Sequence, residues 1–331
     1  MKPILIFLTL VLVAALAATA AEIPPPWAYG FTAPATASAT PGAPGGGGRG
    51  GGGRGAQPDP TMLHLEGSKL EFTRAQISDG FGPADWFPGD HPPMPDVVAH
   101  GRRPNIRACA LCHYPNGRGR AENAGINGFT TEYFIQQLKD FAAGNRKSAD
   151  SRKSNTGAMA SIAKAMTEDE MKASAEYYGS MPFNTPWIKV TESATAPKTR
   201  INVGLFLALE GNETEPLGGR IIEVPVSAEL TENYRDPRSP FIAYVPTGSV
   251  KKGATLATSG QCGMCHGADL RGMGPVPGIA GRSPSYMMRQ MFDMKAGTRK
   301  GLWTPLMKPV VANLSNEDMT AIVAYVASLA P

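Results

Sequence analysis

Two short stretches of this sequence, Cys109-Ala110-Leu111-Cys112-His113 and Cys262-Gly263-Met264-Cys265-His266, share the pattern Cys-x-x-Cys-His. The motifs begin 153 residues apart, and together they contain all four cysteines of the 331-residue chain. On a helix, residues three and four positions apart lie on the same face. Each motif therefore brings two thiols and one imidazole together, and the chain contains two such sets of side chains.

The pattern Cys-x-x-Cys-His is typical of covalent c-type haem attachment. The two thiols form thioethers with the haem vinyl groups, and the adjacent histidine supplies the proximal ligand of the iron. The sequence therefore predicts two covalently attached haem c groups, one on Cys109, Cys112 and His113 and the other on Cys262, Cys265 and His266.

Other sites that use Cys-x-x-Cys explain the motifs less well. A thioredoxin-like site needs no following histidine and sits in a βαβ pattern, which neither motif follows. Zinc ribbons join two pairs separated by about 15–20 residues, whereas these pairs begin 153 residues apart. Disulfides occur in exported proteins, but two cysteines three positions apart on a helix rarely suit a bridge.

The first 21 residues have the three parts of a secretory signal peptide. Lys2 precedes an apolar run at 4–18, and residues 18–20 have the Ala-x-Ala form of a cleavage site. The run is short for a membrane helix, which needs about 20 residues. We therefore expect a mature chain that starts at Ala21 or Glu22 in the periplasm, with an uncleaved anchor as the less favoured alternative.

Residues 22–60 are predicted to be a flexible linker. They contain three prolines at 24–26 and a glycine-rich run at 45–55. Such a composition cannot bury enough apolar surface to become ordered. The aromatic cluster at 27–31 is the exception, and we expect it to pack locally, the alternative being a docking peptide for a partner. Residues 61–101 contain few periodic patterns and are expected to form loops over the first haem domain.

The sequence repeats itself after each motif, which predicts two copies of one domain. We place the first copy at 61–186 and the second at 249–331. The matching segments and positions are Tyr133–Leu138 with Tyr286–Met291, Phe141–Arg146 with Met294–Arg299, Met159 with Met307, and Thr167 with Ser315.

The repeat unit has a helical pattern. Thr167 and Ser315 are N-cap residues with an acidic residue three positions later, as in a capping box. Apolar residues follow at i, i+4 and i+7, which gives each terminal helix one apolar face. Further helices are expected to begin near Thr130 and Ser283. Each unit is therefore predicted to consist of a haem motif, a helix, a loop that bears a methionine and a terminal helix.

The middle of the chain, 187–248, departs from this pattern. Segments 201–209, 220–226 and 241–245 are rich in β-forming residues, and Gly218-Gly219 marks a turn. The predicted fold is therefore mainly α, with two haem domains joined by a β-rich connector and a disordered Gly/Pro-rich tether in front.

Methionines at matching repeat positions are the candidates for the sixth iron ligands. Met159 lies 46 residues after His113, and Met307 lies 41 residues after His266. Methionine opposite histidine raises the reduction potential, and filling both axial positions suits a site that only transfers electrons. We predict that Met159 and Met307 are the ligands, although a single methionine is more often a core residue.

The other ring nitrogen of each proximal histidine needs a hydrogen-bond acceptor. Residues 274–276 follow the second motif at a suitable distance to present a backbone carbonyl, and residues 122–124 occupy the corresponding place in the first unit. The histidines outside the motifs, at His64, His91 and His100, are expected to be surface or packing residues.

These features resemble the small class I cytochromes c, duplicated in tandem, and most of all the exported dihaem cytochromes c of the c4 and c553 kind. The likeness covers 105–182 and 252–331. It implies an α-helical fold, His/Met ligation of each iron and electron transfer in the periplasm. The chain departs from that family in two respects. The connector is long, and the first motif is followed by Tyr114, where the second motif is followed by a glycine.

The formal net charge of +4 conceals a division along the chain. Residues 101–164 have a net charge of +7, and residues 165–245 have a net charge of −5. One interpretation is a basic face around the first haem that attracts acidic redox partners; an ordinary solvated surface is the alternative. The arginines are not part of a nucleic-acid-binding module.

The sequence therefore predicts an electron-transfer protein without enzymatic activity of its own and without a small-molecule substrate. Its partners are expected to be periplasmic or membrane redox proteins, such as a dehydrogenase, an oxidase or another cytochrome. A dihaem peroxidase is the first alternative, but that class needs an extra histidine ligand, and the sequence has none between His113 and His266. A haem sensor in which Met159 is a labile ligand is the second.

Overall fold

The computed structural model describes residues 22–34 and 59–331. The predicted signal peptide and the glycine-rich run at 45–55 lie outside these residues. The described part begins with the helical turn α1 (Pro26–Tyr29) and continues through four short elements before the first motif: β1 (Met62–His64), β2 (Glu71–Thr73), α2 (Arg74–Ile77) and α3 (Asp96–Ala99).

The segment before the first motif is more ordered than the loops that its sequence predicted. β1 and β2 form an antiparallel pair, and Leu65, Ile77, Trp86 and Phe87 make a small apolar core. The indole of Trp86 donates a hydrogen bond of 2.7 Å to a carbonyl of the connector. A few large apolar side chains are therefore enough to order this segment, because it packs on the connector.

The first domain contains four helices, α4 (Cys109–His113), α5 (Thr131–Ala142), α6 (Ser154–Ala165) and α7 (Glu168–Ser180). The Thr130 hydroxyl caps α5, and Thr167 forms a full capping box with Glu170 at the start of α7. Both predicted starts are confirmed. The buried faces of these helices meet in one apolar core.

The connector is rich in strands, as predicted. They are β3 (Ile188–Glu192), β4 (Thr195–Pro197), β5 (Thr199–Asn202), β6 (Leu205–Ala208), β7 (Thr214–Pro216), β8 (Ile222–Pro225) and β9 (Phe241–Val245). β9 lies between β3 and β8, parallel to the former and antiparallel to the latter. The predicted strand at 201–209 is interrupted by a turn at Val203-Gly204, where both residues have positive φ.

The second domain has five helices and a small hairpin: α8 (Ser249–Ser259), α9 (Cys262–His266), β10 (Gly272–Met273), β11 (Val276–Pro277), α10 (Pro284–Lys295), α11 (Thr304–Ala312) and α12 (Asn316–Ser328). Ser283 caps α10, and Ser315 forms a capping box with Asp318. α8 packs closely on α12, since a Cβ at Gly253 would lie 2.0 Å from the Ala321 carbonyl oxygen.

In the described part of the predicted linker, residues 22–34, the aromatic cluster at 27–31 packs on the second domain instead of only locally. α1 packs against α10, and Trp27 and Tyr29 are buried in a core that the second domain shares with the connector. The aromatic side chains supply enough apolar area to outweigh the cost of ordering this segment. The prolines, which suggested a linker, fit the first turn of a helix.

The two domains contact each other directly, despite the long connector. Arg146 and Arg299 form an antiparallel β-bridge across the boundary. Two backbone hydrogen bonds extend it, from Lys147 N to Thr298 O at 3.0 Å and from Lys300 N to Asn145 O at 2.8 Å. Both segments follow the helix after the haem motif, so the contact joins equivalent parts of the repeat.

None of the helices in the described residues is both long enough and apolar enough to cross a membrane.

Candidate haem sites

The two motif helices, α4 and α9, end in the same backbone conformation. The residue after each histidine has positive φ, 64° at Tyr114 and 84° at Gly267. Glycine adopts this conformation without steric cost, whereas a bulky residue is strained in it. Tyr114 tolerates it because its ring is buried and its carbonyl accepts a hydrogen bond from the Tyr178 hydroxyl at 3.3 Å. The departure at Tyr114 therefore leaves the shape of the first site unchanged.

Each motif histidine is held by a backbone carbonyl eleven residues further along the chain. His113 Nδ1 lies 2.9 Å from Ala124 O, and His266 Nδ1 lies 2.8 Å from Pro277 O. The first acceptor lies in the predicted segment 122–124, and the second immediately follows the predicted segment 274–276. A proton on Nδ1 leaves the Nε2 lone pair of each ring available to bind iron.

Burial lowers the pKa of His113 and His266, the carbonyl acceptor opposing this effect in each case. Both rings are therefore neutral at physiological pH, which is the form that binds a metal. The acceptor loops are fixed by close backbone contacts. A Cβ at Gly125 would lie 2.7 Å from Arg118 O, and one at Gly278 would lie 2.4 Å from Arg271 O.

None of the four cysteines forms a disulfide in the part of the chain that the structure describes. Burial raises the pKa of Cys109 to about 12 and also raises the pKa of Cys112. Their position on the same short helix as a metal-competent histidine fits thioether attachment.

Met159 and Met307 lie on helices, so the prediction that they lie in loops was wrong. Met159 is in α6 and Met307 is in α11, each eight residues before the N-cap of the terminal helix. Both helices have sequences that favour a loop prediction. The sequence of α6 contains glycine and several small polar residues, and that of α11 contains an internal proline. Their role as iron ligands stays a prediction.

The helix α11 presents an apolar face that the described residues leave uncovered. Leu306 and Val310 are 66% and 41% exposed. Val310 is four positions after Leu306 and three after Met307, the spacings at which helical residues share a face. Exposed apolar side chains in a row are unusual unless a ligand or partner covers them. This face, the free Nε2 of His266 and the paired thiols fit an apolar, covalently attached macrocycle.

The histidines outside the motifs lie away from these arrangements. His64 and His100 are exposed, and His91 lies 3.1 Å from Asp85 Oδ2 and 2.9 Å from Pro92 O. Both ring nitrogens of His91 are therefore engaged by protein groups.

The two sites differ in how far their thioether side is open. The third residue of the motif is 9% exposed in the first unit, at Leu111, and 69% exposed in the second, at Met264. Cys265 is exposed, whereas Cys112 is half-buried. The connector contributes to covering the first site, where Arg235 lies 5.9 Å from the ring of Tyr114.

Some cations of the first domain do not belong to its surface. Arg146 and Lys153 are buried, and Arg120 forms an ion pair with Glu122. Arg146 takes part in contacts across the domain boundary, which the sequence analysis missed. The repeat alignment offered a signal, because Arg146 and Arg299 occupy matching positions in the two units.

Parts of the chain are similar in sequence to cytochromes from other organisms. Cytochrome c-554(548) of Halomonas halodenitrificans is 39% identical over 70 residues, which are 21% of this chain and 84% of that protein. Cytochrome c4 of Pseudomonas aeruginosa is 41% identical over 76 residues, 23% of this chain and only 36% of that protein. The thiosulfate dehydrogenase electron acceptor of Thiomonas intermedia is 24% identical over 229 residues, 68% of this chain and 80% of that protein.

Among solved structures, cytochrome c4 of Acidithiobacillus ferrooxidans aligns with 67% of this chain and 98% of its own, at 21% identity and a TM-score of 0.42. The family model for cytochrome c matches residues 98–182 and 250–330, which together make up half of the chain. The chain therefore belongs to the cytochrome c family, whose members transfer electrons through covalently attached haem, and it contains two domains of that family.

Proposed function

We propose that this protein holds two haem c groups in the periplasm and passes single electrons between redox partners. It acts as a carrier or as the cytochrome subunit of a dehydrogenase or respiratory complex. The observation that supports this most directly is the matched pair of histidine contacts, His113 with Ala124 O and His266 with Pro277 O. Both sites have the same orienting hydrogen bond, as expected of two sites with the same task.

In this proposal haem supplies the one-electron couple, and the chain supplies attachment, ligands and surroundings. His113 and His266 would bind the iron through Nε2, and Met159 and Met307 would supply its other protein ligands. The carbonyls of Ala124 and Pro277 fix the orientation of the imidazole rings, which also raises their basicity as ligands. No residue is needed to bind a substrate or transfer a proton.

The test uses purified holoprotein expressed with its haem-attachment machinery. Intact-mass measurement is expected to show two haem additions, and the paired variants Cys109→Ala/Cys112→Ala and Cys262→Ala/Cys265→Ala are expected to show one each. A reductive titration should reveal two low-spin haems that bind neither carbon monoxide nor peroxide. A high-spin component, or one haem that binds carbon monoxide readily, would contradict a simple carrier and favour catalysis or sensing.

A dehydrogenase is the partner class that the relatives favour. Two of the related proteins are described as electron acceptors of thiosulfate dehydrogenase, one 40% identical over 65 residues and the other aligned over 68% of this chain. We propose by analogy that this protein receives electrons from a periplasmic dehydrogenase and passes them to a membrane complex or another cytochrome.

We further propose that partners exchange electrons at the second domain. Met264 and Cys265 are exposed there, whereas Leu111 and Cys112 are covered or half-covered. Electron transfer requires close approach to the haem edge, so the open site is the accessible one. The first haem then exchanges electrons mainly through the second.

This placement can be tested on a gold electrode coated with a mixed hydroxyl- and carboxylate-terminated alkanethiol layer. Met264→Glu is expected to slow interfacial electron transfer several-fold, because a like charge at the contact opposes docking. Met62→Glu adds the same charge at an exposed residue of β1 and is expected to leave the rate unchanged. Equal slowing by both variants would show that the second site is not the point of contact.

A further inference from the structure

One buried arginine of the second domain contacts the acceptor loops of both sites. Arg282 lies just before α10, and its side chain is buried. Its Nε donates to Gly278 O at 2.9 Å, its Nη1 to Gly125 O at 3.1 Å and its Nη2 to Asn127 O at 3.0 Å. A single guanidinium therefore spans the boundary between the two domains.

The residues it contacts are equivalent in the repeat. Gly125 and Gly278 are 153 residues apart, the same spacing as the two motifs. Each directly follows the residue whose carbonyl accepts the proton of a motif histidine, Ala124 in the first site and Pro277 in the second. Arg282 therefore ties together the two short segments that orient His113 and His266.

The charge of Arg282 is not neutralised by a carboxylate. Among the described residues none forms an ion pair with it, and its guanidinium lies between the rings of Phe129 and Phe183, at 3.9 Å and 4.2 Å from their centroids. Burial lowers the pKa of Arg282 to about 10, so the group is still a cation at neutral pH. It is a fixed positive charge in apolar surroundings, next to both acceptor loops.

The first domain has no arginine at the position equivalent to Arg282. The first-domain position that corresponds to Arg282 is Phe129, whose ring supports the guanidinium. Arg289, which lies on α10, contacts the first acceptor loop and not the second. It donates to Ala121 O at 3.0 Å and Asn123 O at 3.4 Å, and it also donates to Ala28 O in α1 at 2.6 Å. Arg289 thus provides a comparison that touches one site and not both.

We propose that Arg282 is a positioning residue that joins the proximal sides of the two haem sites into one hydrogen-bonded unit and sets both reduction potentials together. The inference rests on the proposed function, since it concerns the haems that the two sites are proposed to hold. It goes further by assigning to one side chain a role in both of them.

The direction of the effect follows from electrostatics. Oxidation of each iron adds one positive charge, and a fixed cation in a medium of low dielectric constant opposes this. Without the guanidinium, the carbonyls of Gly278, Gly125 and Asn127 lose their hydrogen-bond donor. Their negative oxygen ends then favour positive charge on the iron, which lowers the potentials as the loss of the cation does. Removal of the guanidinium is therefore expected to stabilise the oxidised state at both sites and to lower both potentials.

The experiment is a spectroelectrochemical titration of holoprotein, with each potential assigned by the paramagnetic NMR resonances of its haem. Arg282→Gln is expected to shift the reduction equilibrium of each haem about tenfold toward the oxidised form, which is about 59 mV for a one-electron couple. Arg282→Lys keeps the charge but cannot donate to three carbonyls in two loops, so it should shift both potentials by a smaller amount.

Two further variants separate this role from general effects. Arg289→Gln is expected to shift only the potential of the first haem. Lys251→Gln, which removes an exposed cation of α8 in the second domain, is expected to shift neither potential. The proposal is overturned if Arg282→Gln or Arg282→Lys leaves either potential unchanged. Haem content is measured first, because fewer than two haems in the natural protein would contradict the proposed function, whereas two haems with unchanged potentials contradict this inference alone.

Discussion

Arg146 and Arg299, which occupy the same position in the two repeats, donate hydrogen bonds to the same pair of glutamines. Arg146 reaches Gln137 at 3.0 Å and Gln290 at 2.9 Å, and Arg299 reaches both at 2.9 Å. Each arginine also donates a hydrogen bond to a tyrosine hydroxyl of the opposite domain, Arg146 to Tyr286 and Arg299 to Tyr133. The domain boundary is thus an approximately symmetric polar network.

Replacement of one arginine is expected to destabilise the folded protein. Arg299→Gln removes three hydrogen bonds, one of them the bond to the Tyr133 hydroxyl, at a cost of about 1–3 kcal/mol in the free energy of unfolding. Denaturant titration of the holoprotein measures this. Arg146→Gln/Arg299→Gln should be more destabilising than the sum of the single variants, because each arginine alone still donates to both glutamines and only the double variant removes both arginine donors.

The matched control for the domain boundary is Lys172→Gln. Lys172 is exposed and pairs with Glu176 on the surface of the first domain, so its loss should leave the denaturation midpoint nearly unchanged. If Lys172→Gln and Arg299→Gln lower the midpoint equally, the network does not stabilise the boundary.

Removal of the predicted methionine ligands should open one coordination position in each domain. Met307→Ala and Met159→Ala are each expected to produce one haem that binds carbon monoxide and has a lower potential, because methionine opposite histidine raises it. Met166→Leu alters a buried methionine beside Met159 and should leave the haem spectrum intact, with a loss of stability below about 1.5 kcal/mol. An unchanged spectrum in both alanine variants would disprove the ligand assignment.

The contact between α1 and the second domain should contribute substantially to stability. Trp27→Ala removes a buried aromatic side chain and is expected to cost about 3–5 kcal/mol. Tyr29→Phe removes the hydrogen bond of 2.7 Å from its hydroxyl to Asp293 Oδ1, at a cost of about 1–3 kcal/mol. Denaturation curves that match those of the natural chain would show that this segment is dispensable.

The pH dependence of stability should reveal the buried carboxyl of Glu223. Burial raises the pKa of Glu223 above its ordinary value of 4.5, while hydrogen bonds from Ser283 and Ser285 oppose this shift. The contribution of Glu223 to stability is therefore complete below pH 4.5 and is lost as the pH rises through the raised pKa. Glu223→Gln should abolish this loss, which unfolding curves between about pH 4 and pH 8 can measure.

Glu170 offers a control of opposite sign. Its hydrogen bond from Arg102 holds the pKa of the Glu170 carboxyl below 4.5, so its contribution is present above that pH and is lost as the pH falls through the lowered pKa. Glu170→Gln should therefore reduce stability at neutral pH and not at low pH. The same pH trend in both variants would contradict the assignment.

Local signals in the sequence were sufficient for much of the fold. The capping boxes at Thr167 and Ser315 predicted the terminal helices, and β-branched runs predicted the connector strands, because these features depend on residues a few positions apart. The motifs and the acceptor segment that contains Ala124 could be predicted for the same reason, whereas Pro277 lies one residue beyond the predicted segment 274–276.

Features that depend on distant contacts could not be predicted in this way. α1 is ordered by α10, more than 250 residues away in the chain, so its composition alone resembled a linker. Arg282 was missed because its partners are backbone carbonyls, which have no signature in side-chain sequence. A mismatch within the repeat, arginine opposite Phe129, was the only available clue.

The packing of α1 on the second domain has a consequence for the order of folding. Tyr29 and Asp293 are 264 residues apart, so the segment that bears Tyr29 is synthesised long before its docking site exists. Closing so long a loop is slow relative to the formation of local helices. This early segment is therefore expected to be among the last to reach its native position, where it completes a core made mostly of residues from later in the chain.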